Sequence, residues 1–235
     1  MKMKKVFLLL MCAMFFAVPF AGAQEAPEPA TISVQGTGKL EVVPDVAFIQ
    51  LAVVTEAATV SAAQQENAVL ANQVYDRLIA AGIEKDYIKT SQYSVIPLYT
   101  QDDGKANTLP VIRGYQIING FTVTVNSARA GEIIDLALQA GVNQVQTVRF
   151  GKLDESGAKN AVLQMAVRDA LAKAESMAAA LGKQISRIRT VTESGVYVQF
   201  PELARYSKSA DSAATPISPG YVQFNANVQL VVEMH

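Results

Sequence analysis

The chain has 235 residues, half of them apolar and 17% charged, with 20 basic and 21 acidic side chains, one cysteine and one histidine. That is ordinary globular composition, with enough chain for one large domain or two small ones. No basic patch and no alternation of Lys or Arg with aromatics stands out, which argues against nucleic acid as a partner. One cysteine and one histidine leave zinc, haem and iron–sulfur sites almost without ligands.

Residues 1–23 have the pattern of a cleaved secretory signal peptide: Lys2, Lys4 and Lys5 precede an apolar run from Val6 to Phe20, and Ala21-Gly22-Ala23 supplies small residues for cleavage. The run is short for a transmembrane anchor and is broken by Pro19. Cys12 sits inside it, with the non-small Met11 before it, so a lipoprotein site is not expected and cleavage removes the sole cysteine. Losing three of the 20 basic residues leaves 17 against 21 acidic, a mature net charge of −4. An exported chain that uses no disulfide has to draw its stability from its core and from assembly. The remaining histidine, His235, is terminal and expected to fray.

Residues 24–30 read as a Pro/Glu/Ala linker, and residues 31–235 as one domain. In 32–42 the even positions Ile32, Val34, Gly36, Gly38, Leu40 and Val42 alternate with polar odd ones, the period of a half-buried strand. Pro44-Asp45 marks a turn. Residues 46–56 carry apolar side chains on both parities and predict a central strand covered on both sides. A helix is predicted over 59–81, with Ser61 and Gln64 as a capping box. Its stripe is Ala63, Leu70, Val74, Leu78 and Ala81, interrupted at Asn67, and Gly82 is its left-handed cap. Strands at 87–99 and 112–125, with the loop 101–110 between them, predict a long antiparallel hairpin.

A second helix is predicted over 127–140, capped by Gly141, followed by a strand at 146–150. A third, alanine-rich helix over 156–181 carries the stripe Leu163, Val167, Ala170, Ala174, Ala178 and Leu181 and ends at Gly182. Residues 186–193 and 196–200 read as a strand pair, 207–220 as a loop, and 222–234 as a strand of strict period two. Three helices thus end in glycine followed by a strand connection, an echo that either duplication or shared cap chemistry explains, the latter preferred.

The glycines of Gly36-Thr37-Gly38-Lys39 resemble part of a phosphate loop, but the details fail. A Walker A loop ending there needs Gly at 33 and Ser or Thr at 40, where Ser33 and Leu40 stand. A dinucleotide fingerprint needs Gly at 41, where Glu41 stands, and both need a helix next. The two bare inward positions instead predict a close approach by other backbone, with the alanine-rich third helix as the visitor.

Other chemistry is scarce. A Ser-His-Asp triad would have to use His235. Glu155-Ser156-Gly157 and Glu193-Ser194-Gly195 lack the glycine of a nucleophile elbow and read as turns. Asp102-Asp103 reads as a solvated loop pair, and Asp45 as a turn residue with general acid–base work as its alternative. Met165, Met177 and Met234 are expected in core stripes, and the charges on the third helix in a solvated or interface face. No catalytic residue, cofactor site or metal site is expected.

The stretch "ISVQGTGKLEVVPDVAFIQLAV", the helix with Asn67 that ends "LIAAGIEKDYIKT", and the later "AVRDALAKAESMAAALGKQI" together resemble the SIMPL-domain family of exported bacterial proteins, which includes YggE-like and periplasmic immunogenic proteins. The resemblance runs from about residue 31 to the C-terminus. It implies an α+β fold, mostly antiparallel sheet with three main packed helices, and a periplasmic location in a Gram-negative cell. It also implies a link to the cell envelope and oxidative-stress response, and for some members large ring- or channel-like oligomers. It carries no agreed catalytic residues.

The first functional expectation is therefore a non-enzymatic periplasmic protein acting through self-assembly or partner binding, as a homo-oligomer or with an envelope partner. It has no integral membrane span after signal cleavage. The second is a periplasmic small-molecule binding protein whose cleft is lined by the 92–115 hairpin and the 201–220 loop. The third is a hydrolase built on carboxylates such as Asp45, which requires two acids with raised pKa values in a deep pocket.

Overall fold

The computed structural model describes residues 29–100, 110–200 and 219–235. The predicted signal peptide, most of the 24–30 linker, Asp102 and Asp103 with their loop, and most of the 207–220 loop lie outside the described residues. The fold is α+β, as expected, with seven strands in two antiparallel sheets and three α-helices among the described residues.

The three-stranded sheet has the order β1-β7-β6, from β1 (Thr31–Val42), β7 (Val222–Met234) and β6 (Ile185–Gln199). Helix α3 (Ser156–Ala180) lies over β1 and β7. The four-stranded sheet has the order β3-β4-β2-β5, from β3 (Ile88–Tyr99), β4 (Ile112–Asn126), β2 (Val46–Ala57) and β5 (Gln144–Gly151). Helix α1 (Val60–Ala80) lies over β2 and β4 and packs on α2 (Ala130–Ala140). Each sheet has a core of its own. That of the larger sheet gathers Ile49, Leu51, Leu78, Ile133 and Phe150. That of the smaller is built from Leu230, Val232, Phe224 and the alanines of α3. The larger layer is one continuous stretch of chain, from β2 to β5, inserted between β1 and α3 of the smaller.

The period-two strands behave as their pattern dictates. In β7 the even positions Val222 to Met234 are all buried, and in β1 Ile32, Val34, Gly36 and Gly38 are buried while the odd positions are exposed. All three helix ends adopt one cap. Gly82, Gly141 and Gly182 have positive φ, and Ile83, Val142 and Lys183 each donate their N–H back to the carbonyl five residues earlier. This is the Schellman arrangement, in which only glycine takes the left-handed position without steric cost. Shared cap chemistry accounts for the echo.

Several expectations are corrected. Helix α1 is capped by the Thr59 hydroxyl, which accepts from the Ala62 N–H at 3.3 Å, so Ser61 and Gln64 form no capping box. The helix predicted over 127–140 begins as a 3-10 turn at Ser127–Arg129 before α2. The expected strand pair at 186–200 is one strand, β6, whose register on β7 shifts between Glu193 and Val196 around Gly195 with φ +95°. A bulge absorbs the extra residues that read as a turn. Glu155-Ser156-Gly157 is likewise no turn, because Ser156 opens α3 and its N–H donates to the Asp154 carboxylate at 2.9 Å. His235 does not fray at its backbone, since it exchanges hydrogen bonds with Gln184 at 3.1 and 3.3 Å. Met165 and Met177 are 40% and 47% exposed, and only Met234 is core.

Candidate functional site

Three places in the molecule carry unusual geometry: the glycine strand, the point where the chain crosses between layers, and the outer strands of the two sheets.

In β1, a Cβ placed on Gly36 would meet the Ala166 carbonyl oxygen and, at 2.6 Å, the Ala170 Cβ; one on Gly38 would meet the Val162 carbonyl oxygen and, at 3.0 Å, the Ala166 nitrogen. The α3 backbone rests directly on the bare strand, as the smallness of both partners predicts. The buried residues of α3 are Val162, Ala166, Ala170, Ala174 and Ala178. Leu163 and Val167, expected in the stripe, are only partly buried, and Leu181 is 62% exposed. At the pairs Val162/Leu163 and Ala166/Val167 the smaller residue faces the sheet, because the contact leaves little space beyond the backbone.

The same helix seals the edge of the sheet. The Thr37 N–H donates to the Asp169 carboxylate at 2.8 Å, and the Lys173 ammonium donates to the Gln35 carbonyl at 3.0 Å and to Asp169 at 2.7 Å. The outward donor and acceptor at the middle of β1 are thus both taken. The bond from Lys173, and then that from the Thr37 N–H, hold the Asp169 carboxyl below its ordinary pKa. The anion that meets this glycine strand is the chain's own carboxylate, in mid-strand and away from any helix N-terminus, so the phosphate-loop reading has no structural counterpart.

The chain crosses between layers at 43–45 and at 152–155, and both crossings meet at Asp45. Its carboxylate pairs with the Lys152 ammonium at 2.6 Å and accepts the Leu153 N–H at 2.9 Å. Its N–H donates to the Gly151 carbonyl at 3.1 Å, and its carbonyl accepts the Ser127 N–H at 3.0 Å. Burial pushes the carboxyl pKa up, but the Lys152 and Leu153 bonds outweigh it and hold it below the usual range. Asp45 thus lacks the raised pKa that the hydrolase expectation asks of its acids. Beside the crossing, the Arg149 guanidinium lies between two rings, 4.9 Å from the centroid of Phe48 and 4.3 Å from that of Phe200, which joins the end of β6 to the larger sheet.

A cleft of about 370 Å³ opens at this crossing, lined by Asp45 and Leu153, by Glu84 and Tyr87 beyond α1, and by Asn126 and Arg129 beyond β4. The cleft expected from the 92–115 hairpin and the 201–220 loop falls largely outside the described residues. Arg129 is committed to Glu132 at 2.8 and 3.1 Å and to the Ala81 carbonyl at 3.0 Å. Among the described residues no group of three or more His, Cys, Asp or Glu side chains is placed to hold a metal.

The outer strands differ from β1. Helix α3 lies over β1 and β7 and only grazes β6, α1 lies over β2 and β4, and the outer strands β3 and β5 of the larger sheet have no helix lying over them. On β6, Ile188 and Val191 pair with Val232 and Leu230, on the helix side of the sheet, yet are 50% and 52% exposed. On β3, Tyr93 and Val95 pair with Asn119 and Ile117 and are 51% and 45% exposed. On β6 the Tyr197 hydroxyl donates to the Ser194 carbonyl at the bulge at 3.2 Å, and among the described residues no other side chain is bonded to the outward backbone of β3 or β6. Sequence reasoning missed both flanks, because a strand's own alternation does not say whether a helix lies over it.

One more polar feature lies inside the larger layer. Asn67 is buried and donates to the Val53 carbonyl at 2.9 Å, while its own carbonyl oxygen is buried without a partner. The interruption of the α1 stripe is thus a tether of α1 to β2, supported by the Thr55 hydroxyl donating to the Ala63 carbonyl at 2.8 Å.

Residues 32–232 match the sequence model of the SIMPL family, described as a protein of unknown function (DUF541). The chain is 31% identical to the 26 kDa periplasmic immunogenic protein of Brucella melitensis, over 93% of this chain and 91% of the relative. It is 25% identical to the uncharacterized protein YggE of Edwardsiella ictaluri, over 90% of each. Against YggE of Escherichia coli K12 the identity is 24%, over 91% of this chain and 87% of the relative.

Proposed function

The chain belongs to the SIMPL family, and from that premise we propose that it is an exported periplasmic protein that acts without catalysis, by pairing its open strands β3 and β6 with further copies of itself or with an envelope partner. What carries the reading is the contrast among strand edges. An uncovered edge with apolar side chains is a template for another strand, which natural monomers normally blunt. Here the middle of β1 is capped by Asp169 and Lys173, while among the described residues β3, and β6 apart from Ser194, have no such cap and carry uncovered apolar side chains.

The periplasmic location is supported by the signal pattern of residues 1–23 and by the name of the Brucella relative. No described helix is long and apolar enough to cross a membrane. Service in the envelope and oxidative-stress response comes from the family resemblance alone and is part of the proposal. The 31–235 stretch acts as one unit, because both chain crossings are locked at Asp45.

The test is the native mass of the mature chain by light scattering, beside the double variant Val95→Lys/Val191→Lys, which places a charge on each flank. The reading expects an assembly whose mass drops to a monomer in the variant. A wild-type chain that stays monomeric at high concentration and retains no partner from an envelope extract sinks it. N-terminal sequencing of the exported protein checks cleavage, with Gln24 expected first.

A further inference from the structure

The cleft at the layer crossing has a charge balance that the edge-pairing reading does not use. Of the charged side chains that line it, Asp45 is neutralised by Lys152 and Arg129 by Glu132. Glu84 lines the same cleft, is exposed, and has no ion-pair or hydrogen-bond partner for its carboxylate among the described residues. The cleft therefore carries one uncompensated negative charge. Gly82, the left-handed cap of α1, also lines it, and the Ala81 carbonyl at that helix end is already taken by the Arg129 guanidinium at 3.0 Å. Tyr87 supplies a half-buried aromatic ring in the same lining. An unpaired carboxylate beside an aromatic ring favours a cation.

We propose that this cleft binds a small organic cation, an amine or quaternary ammonium of a few carbons, with its charge on Glu84 and its alkyl groups against the Tyr87 ring. A volume of about 370 Å³ lies at the small end of ligand pockets. A divalent metal is disfavoured, because such ions take six or more oxygens and no described group of three acidic or histidine side chains is available. An anion is disfavoured because both cations at the site, Arg129 and Lys152, are already held by carboxylates. Asp45 and Leu153 belong to the two chain crossings, so an occupant touches the joint between the layers.

The inference does not depend on edge pairing, and its test keeps the two apart. Putrescine, tetramethylammonium, sodium acetate and magnesium chloride are titrated into the mature chain at constant ionic strength. Binding is followed by calorimetry and thermal unfolding, in wild type and in the monomeric flank variant alike. Saturable binding of both organic cations is expected, with a raised Tm and no response to acetate or magnesium. Glu84→Gln should weaken it by about tenfold, as the loss of a charge-assisted contact does. Tyr87→Phe should keep it, and Tyr87→Leu should weaken it by about threefold. Absence of saturable binding overturns the proposal. So does equal protection by magnesium, or unchanged affinity in a folded Glu84→Gln.

Discussion

The two layers share one plan, an antiparallel sheet with helix on one face, yet they close in opposite ways. In the four-stranded layer, α1 and α2 reach the sheet with large side chains: Leu78, Val74 and Ile133 interdigitate with Ile49, Leu51 and Val123. In the three-stranded layer, α3 presents an alanine at every fourth position from Ala166 to Ala178 and lays its backbone on Gly36 and Gly38. Large side chains bury area but hold the helix off. Small ones bury less and bring the helix close enough for Asp169 and Lys173 to seal the β1 edge. Close packing here also protects an edge, whereas β3 and β6 present apolar side chains that no described helix covers.

If that contrast holds, the layers must fail differently. Adding atoms to the close contact should cost most. Gly36→Val drives a side chain into the Ala166 carbonyl and should destabilise by about 3 kcal/mol or more, the upper end for overpacking, in urea unfolding. Removing atoms should do the corresponding damage in the other layer. Leu78→Ala, at a fully buried position, should cost about 3 kcal/mol by the same measurement, whereas Ala170→Gly on α3 should cost only about 1 kcal/mol, the helix propensity difference. Equal losses for Leu78→Ala and Ala170→Gly would erase the distinction.

Smaller effects are expected where polar groups join the pieces. Asn67→Ala frees the Val53 carbonyl but also removes an unpaired oxygen, so a loss of about 1 kcal/mol is expected rather than the full cost of a buried orphan. The smallest effect concerns pH. The Asp169 carboxyl is depressed by its bonds from Lys173 and Thr37, so its stabilisation is present above the ordinary carboxylate range and lost as pH falls through the depressed value. The Glu233 carboxyl, depressed by Arg187, behaves alike. Acid should therefore loosen the β1 edge, seen as a falling protection factor at the Thr37 amide, and Asp169→Asn should reproduce that loss at neutral pH.

Much of this was legible in the sequence where the signal is local. The alternation of β7, the three glycine caps and the bare positions of β1 depend on residues within a few places of each other, and each folded as its pattern demands. The visitor to Gly36 and Gly38 was legible too, because smallness on one element needs smallness on its partner. The α3 stripe was misread by one residue at Val162 and Ala166, since hydrophobicity favoured Leu163 and Val167 while the tight contact favoured the smaller neighbour. The β6 bulge was misread because Ser194-Gly195 supplies turn chemistry that a strand can absorb. The Asp45 crossing, the Glu84 cleft and the open flanks were invisible. The Asp45 crossing joins segments more than a hundred residues apart, and the cleft and flanks depend on which elements lie beside them, of which local periodicity holds no record.

Hydrogen exchange of the strand-edge amides, measured on the mature protein over a range of concentrations, addresses the central claim most directly. Amides along the outer edges of β3 and β6 should become protected as concentration or partner is raised, while Thr37 on β1, already held by Asp169, stays protected throughout. Fast exchange on β3 and β6 at every concentration, with and without envelope extract, would contradict the claim that these flanks are the working surface of the protein.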